Sequence, residues 1–148
     1  MPVGDAIQEF GFLRRKVKLK TNTGVSKGDV LAWDTDGYGA ATNASLGPFY
    51  VAAETVAAPG EGKQAECHVY EEGVVVVGKV AGAIHEGDWV GVSSTAGKVT
   101  AYAKPDAPAS YAEATVQAEL DKVFKRVGRA YGSAAVNDTT VTIRLLSF

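Results

Sequence analysis

The sequence predicts a mostly-β protein. The expected form is a small β-barrel or β-sandwich of two pseudo-repeated hairpin units, with one short α-helix near the C-terminal third and an extended N-terminal arm. Three observations lead there. Ala and Val dominate the apolar set and Gly occurs 17 times in 148 residues, a mixture that suits short strands joined by tight turns. A turn of the form apolar-x-x-Gly-Asp, followed within two residues by Val, occurs twice, at residues 25–30 and 84–90. Several segments alternate apolar and polar residues with the period of a half-buried strand.

In chain order, residues 1–13 read as an arm. Pro2, Gly4 and Gly11 oppose a helix, yet Val3, Ile7, Phe10, Phe12 and Leu13 are apolar. Such a segment either finds a partner surface or folds back as an edge strand of its own domain. A single β-rich domain is expected over residues 14–148. It opens with the alternating Arg14-Arg15-Lys16-Val17-Lys18-Leu19-Lys20, a strand with Lys16, Lys18 and Lys20 on one face. Lysines so placed protect a strand edge or meet acidic groups on a partner protein or a nucleic acid.

The two Gly-Asp turns each lead into a hairpin closed by a second turn, at residues 34–37 and 93–97. Glycine admits positive φ there, and the Asp side chain caps turn amides. The segments that follow, 49–69 and 127–145, both read as strand, turn, strand, so the chain reads as a degenerate internal duplication. Between the copies, Val74-Val75-Val76-Val77-Gly78-Lys79-Val80 is apolar on both faces and predicts a central strand. Residues 104–109 carry two prolines and predict a linker. A helix should follow, with Ser110 and Glu113 as a capping box. Val116, Leu120, Val123, Phe124 and Val127 then form one apolar face, and Gly128 closes the helix. The linker and helix form an insertion over about 104–127, and the helix face should pack on the sheet or on a neighbouring subunit.

Composition and motifs narrow the function. The formal net charge of -2 gives no global attraction for nucleic acid. The first residues lack the basic and apolar regions of a signal peptide. The valine run is far short of the roughly 20 residues that span a bilayer. Cys67 stands alone and reads as a small buried residue rather than a nucleophile. Asp34-Thr35-Asp36-Gly37 begins like a calcium loop, but Ser45 stands where the bidentate Glu is needed, so a hairpin turn explains it. His68 and His85 fall in no metal-binding spacing. Glu71 and Glu72 are adjacent on a predicted strand and point to opposite faces. The Gly-Asp turn also occurs in lipoyl-type barrels, but Lys79 and Lys98 lack the hairpin-tip context that modification needs. No catalytic residues, metal site or cofactor are expected.

Taken in order, Gly28-Asp29-Val30, residues 72–80, residues 84–90, Gly97-Lys98-Val99-Thr100, Val127-Gly128-Arg129-Ala130 and Val141-Thr142-Ile143-Arg144-Leu145 resemble the phage head decoration, or capsid cement, proteins. The resemblance runs from about residue 14 to the C-terminus, and residues 104–126 are longer than the family's usual connection. It implies a non-enzymatic β-rich protein on the outer capsid surface of a virion. It also implies a homotrimer whose partner is the major capsid protein, with no nucleic-acid or membrane partner. Residues 1–13 would be the capsid-binding arm, and Lys16, Lys18 and Lys20 a basic contact face. Two alternatives stay open: another virion module such as a tail or fibre component, and a small-ligand or carbohydrate-binding barrel with Trp33, Tyr38, Trp89 and Tyr102 as its platform. Trp33 and Trp89 fall near equivalent points of the two repeats and read as core or interface anchors.

Overall fold

The computed structural model describes residues 2–5 and 13–146. Among them, nine strands form one continuous curled sheet. The strands are β1 (Leu13–Lys18), β2 (Val30–Asp34), β3 (Gly37–Ala40), β4 (Tyr50–Ala52), β5 (Glu66–Gly78), β6 (Trp89–Val92), β7 (Val99–Ala101), β8 (Arg126–Ala130) and β9 (Thr140–Leu145). The helix α1 (Glu113–Asp121) and a 3-10 turn (Lys122–Lys125) lie between β7 and β8.

The 13-residue β5 is shared by two halves of the molecule. Its first part pairs antiparallel with β1 and β4, and its second part with β9. In the first half β2 pairs with β3 and β4; in the second β6 pairs with β7 and β8, and β8 returns to β9. A parallel bridge, Leu19 to Tyr38, brings β3 back to the end of β1; its counterpart, Lys79 to Val99, brings β7 back to the end of β5. Each half is therefore a barrel-like curl of five strands, β1-β5-β4-β2-β3 and β5-β9-β8-β6-β7.

The predicted duplication extends to single hydrogen bonds. Gly28 N donates to Ala52 O and Gly87 N to Ala130 O, both at 2.8 Å. Ser26 N donates to Asp29 Oδ2 at 2.9 Å and His85 N to Asp88 Oδ2 at 3.0 Å. Gly28 and Gly87 have φ of 89° and 88°, a left-handed conformation that disfavours any Cβ. Counting on from these matched glycines, Val30 corresponds to Trp89 and Trp33 to Val92. The two tryptophans therefore do not occupy equivalent points, which corrects the expectation.

Burial follows the strand period. Val17 and Leu19 are buried beside Val25, Leu31, Tyr50, Ala52, Cys67 and Val69 in a cluster within the first half. The larger cluster includes Val75, Val77, Val90, Val99, Val141, Ile143 and Leu145, and takes in Val30, Phe49 and Val51, so it joins the halves. The central position predicted for Val74–Val77 is what β5 occupies, and all four valines are buried.

The helix departs from its prediction. Its N-cap is Ala112, with no side-chain cap, and Ser110 Oγ instead lies 3.0 Å from Thr115 Oγ1. No capping box forms, because the Thr115 hydroxyl already takes up the Ser110 group. Regular helix stops at Asp121; Val127 and Gly128 belong to β8. Pairing with β6 and β9 overrides the helical periodicity there, as tertiary context commonly does. Gly128 is needed for another reason: a Cβ on it would overlap the Arg144 carbonyl oxygen of β9. No residue of α1 is fully buried, and Leu120, Val123 and Phe124 of the predicted face are exposed. The insertion replaces the short loop at residues 41–49 of the first half, and the two meet where Gly47 N donates to Phe124 O at 2.7 Å.

Candidate interaction surfaces

The N-terminal segment starts on the protein's own sheet. Asp5 N donates to Pro2 O at 3.2 Å, closing a turn in which Gly4 has φ of 82°. Gly4 N then donates to Val76 O at 2.6 Å and Val76 N to Asp5 O at 3.1 Å. Val3 is half-buried and packs on Gly28, where a Cβ would overlap it. Asp5 pairs with Lys27 at 3.3 Å. Ile7, Phe10 and Phe12 lie outside the described residues. Leu13 opens β1 opposite Glu72.

The basic face alternates as predicted, with Lys16 and Lys18 exposed and Val17 buried between them. Much of its charge is met within the chain. Lys16 pairs with Glu66 and Lys20 with Asp34, each at 2.8 Å, and Arg15 with Glu71 at 3.0 Å. Hydrogen bonds from these lysines hold the Glu66 and Asp34 carboxyls below their ordinary values and raise the lysines in return. Exposed pairs of this kind contribute little stability, but they weaken any case for this face as a strong acid-binding patch.

A second surface was only partly read from the sequence, which named Trp89 and Tyr102 but not the arginines beside them. Across the β6–β8 ladder Arg129 stands opposite Trp89, and its guanidinium lies 4.3 Å from the indole centroid. Arg126 lies over the same ring at 4.5 Å and over Tyr102 at 6.0 Å. Guanidinium groups stack on aromatic faces by cation–π attraction. Trp89, Tyr102 and Arg126, but not Arg129, line a cleft of about 540 Å³ together with Lys104, Pro105 and Val123, with Asp88 on its wall. The hydroxyl of Tyr102 donates to Lys122 O at 2.9 Å, tying the linker to the 3-10 turn. Leu120 and Phe124, each 55% exposed, and Val123 leave an apolar ridge on the helix side. The signal for this site was the matching of the two repeats, which sets β6 beside β8 and so Trp89 beside the Arg126-x-x-Arg129 pair.

The aromatics of the supposed sugar platform fall into two separate groups. Trp33 is 57% exposed and meets Tyr38 edge-on at 5.4 Å; Tyr38 in turn meets Tyr50 at 5.3 Å. Trp89 and Tyr102 belong to the other half, and guanidiniums already lie over the Trp89 ring. Neither tryptophan is a core residue, so of the two readings of these rings the core one is set aside.

No family model and no curated protein matches the chain. A solved structure does. The chain is similar to the N base of head fiber gp8.5 of bacteriophage phi29. The TM-score is 0.52 at 19% identity, over 90% of this chain and 95% of that chain. The likeness is one of fold, and it takes in nearly the whole of both chains rather than a shared turn.

Among the described residues no group of three or more His, Cys, Asp or Glu side chains converges on a metal position, and no helix is long and apolar enough to cross a membrane. Residues 34–37 form the predicted hairpin turn between β2 and β3. Its carboxylates are spent locally: Asp34 on Lys20, and Asp36 on the Thr21 amide and hydroxyl. Burial pushes the Cys67 thiol up to about 11, far from a nucleophile's range. Lys79 is buried, with its ammonium donating to Val80 O and Gly82 O at 3.1 and 2.7 Å. His68 Nδ1 lies 3.0 Å from Glu54 in an exposed pair.

Proposed function

We propose that this chain is a structural protein of a phage virion that binds the outer surface of the icosahedral capsid and cements it, acting by binding and not by catalysis. The observation that supports this most is the fold shared along 90% of the chain with the N base of a phage head fiber. The ordered resemblance to capsid decoration proteins points the same way. In this reading the major capsid protein is the partner and the protein acts as a homotrimer. Internal pressure from packaged genome pulls capsid subunits apart. A trimer that spans several subunits adds contacts across the seams, and multivalency makes weak individual contacts effective. Of the arm read at residues 1–13, Val3 packs on the chain's own Gly28 and Leu13 opens β1, so in this reading Ile7, Phe10 and Phe12 supply its capsid contacts.

The test is the solution mass followed by co-sedimentation with empty capsids of the encoding phage. A trimer that pellets with capsids is expected. Deleting residues 1–12, which spares the first residue of β1, should leave a folded protein whose capsid-bound fraction falls at least tenfold. Normal binding by the truncated chain removes the arm from the mechanism. A full-length monomer that ignores capsids defeats the reading. A fibre-base role is the second reading, favoured by the neighbour's being a fiber base; it requires virion images with density continuing outward from this domain.

A further inference from the structure

We infer that the cleft beside Trp33 is a binding site for a neutral carbohydrate. The cleft, of about 600 Å³, lies where β2 and β3 meet the loop at residues 41–49, and its volume is that of a small-ligand site. Trp33, Asp34, Thr42, Ser45 and Leu46 line it, and the rest of its lining is alanine and glycine. Its aromatic ring is open. Trp33 is 57% exposed, and Tyr38 meets it edge-on at 5.4 Å. An edge-on neighbour takes up at most one face of an indole. Among the described residues no cation lies over this ring, in contrast to Trp89. Tyr38 stands opposite Trp33 in the β2–β3 ladder and packs on Tyr50 at 5.3 Å, so the ring is supported before a ligand arrives. The C–H bonds on the flat side of a pyranose carry slight positive charge, which suits the negative face of an aromatic ring.

Polar groups of both kinds stand beside the ring. Thr42 Oγ1 accepts from Ala44 N at 3.3 Å and Ser45 Oγ from Thr42 N at 3.0 Å. Neither hydroxyl donates to a described residue, so each keeps its own O–H for a ligand. Asp34 adds acceptors. Its two oxygens accept from Lys20 and Thr35, and a carboxylate has about four lone-pair positions. Sugar hydroxyls both give and take hydrogen bonds, and this mixture meets them. The loop is also held in advance: Ser45 N donates to Thr42 O at 3.0 Å and Gly47 N to Phe124 O at 2.7 Å, so little order is lost on binding. Charge selects further. Asp34 is the charged residue of the lining, and Lys20 matches it at 2.8 Å. An anion, a nucleotide's phosphate included, would face Asp34, and a cation would find that carboxylate already paired. A purely aliphatic ligand would cover the hydroxyls of Thr42 and Ser45 without bonding them. A neutral polyol with one apolar face satisfies every group.

The site is independent of the virion reading, and its test uses no capsids. The probes are maltotriose, cellotriose and triacetylchitotriose, neutral sugars that differ in linkage and substituents. The chain has two tryptophans, so NMR of the full-length protein shows two indole N–H signals, which Trp33→Phe assigns. At least one sugar should move the Trp33 signal, leave that of Trp89 in place and bind with a Kd of about 1 mM or tighter. Trp33→Ala should remove binding. Thr42→Val, which loses the hydroxyl at nearly constant shape, should weaken it about three- to tenfold, as for one hydrogen bond. Unchanged melting curves establish that the variants fold; should Trp33→Ala not fold, the Trp33 signal of the wild-type protein still decides. The inference is overturned if all three sugars leave the Trp33 signal still, if the Trp89 signal moves instead, or if folded Trp33→Ala binds like wild type. Tighter binding of trigalacturonate, which is charged, or of benzyl alcohol, which stacks but lacks the ring of hydroxyls, overturns it as well.

Discussion

Cys67 shows how much one side chain's surroundings set its chemistry. It is fully buried between β1 and the first half's core, and its thiol donates to His68 O at 3.2 Å. Desolvation, with the nearby Glu54 charge adding to it, lifts its pKa from 9.0 to about 11. At pH 8 that leaves roughly a hundredfold less thiolate than an ordinary thiol. Alkylation by iodoacetamide should therefore be at least about a hundredfold slower in the native protein than in denaturant; comparable rates would show that the strand pair opens readily. This residue was legible in the sequence because burial of a lone Cys in an alternating strand needs only local pattern. Arg129 and Trp89 were not, because their stacking depends on which strands become neighbours.

At the scale of elements, the paired Gly-Asp turns form a built-in control. Gly28 and Gly87 share one backbone conformation, so Ala at either costs the same left-handed strain, about 1 kcal/mol. They differ in what covers them. A Cβ at 28 overlaps Val3, whereas nothing lies within 4 Å of one at 87. Gly28→Ala should thus destabilise by about 1–2 kcal/mol more than Gly87→Ala in chemical denaturation, and deleting residues 1–12 should erase the difference. An equal cost in the full-length chain would mean that residues 2–5 do not hold to the turn. The turns, the hairpins and the central valine strand were readable because glycine, aspartate and period-2 alternation act over a few residues. The helix was misread at both ends for lack of that locality. Thr115 intercepts Ser110, and the β6 and β9 ladders claim Val127 and Gly128.

For the molecule as a whole, acid should loosen the fold, with one group opposing. Asp34, Asp36, Glu54, Glu66 and Glu119 are held below their ordinary values of 3.8 and 4.5 by hydrogen bonds to Lys20, Thr21, His68, Lys16 and Lys122. A carboxyl whose folded value is lowered stabilises fully above its unfolded value and loses that contribution as pH falls through the folded one. Asp29 has the other sign. Burial raises it, so its contribution is present below 3.8 and lost as pH rises through the raised folded value. The melting temperature should fall from pH 5 to pH 3, less so in high salt because the pairs are exposed. Asp29→Asn should be less damaging at pH 7 than at pH 3; the reverse order would mean that the Ser26 hydrogen bond outweighs burial. The shared β5 has a further consequence. Leu13 faces Glu72 and Leu145 faces Gly73, so the first and last strands meet β5 at consecutive residues near its middle. The two curls thus hand over at the single peptide link Glu72–Gly73, so a distortion there would part them while leaving each half's pairing whole.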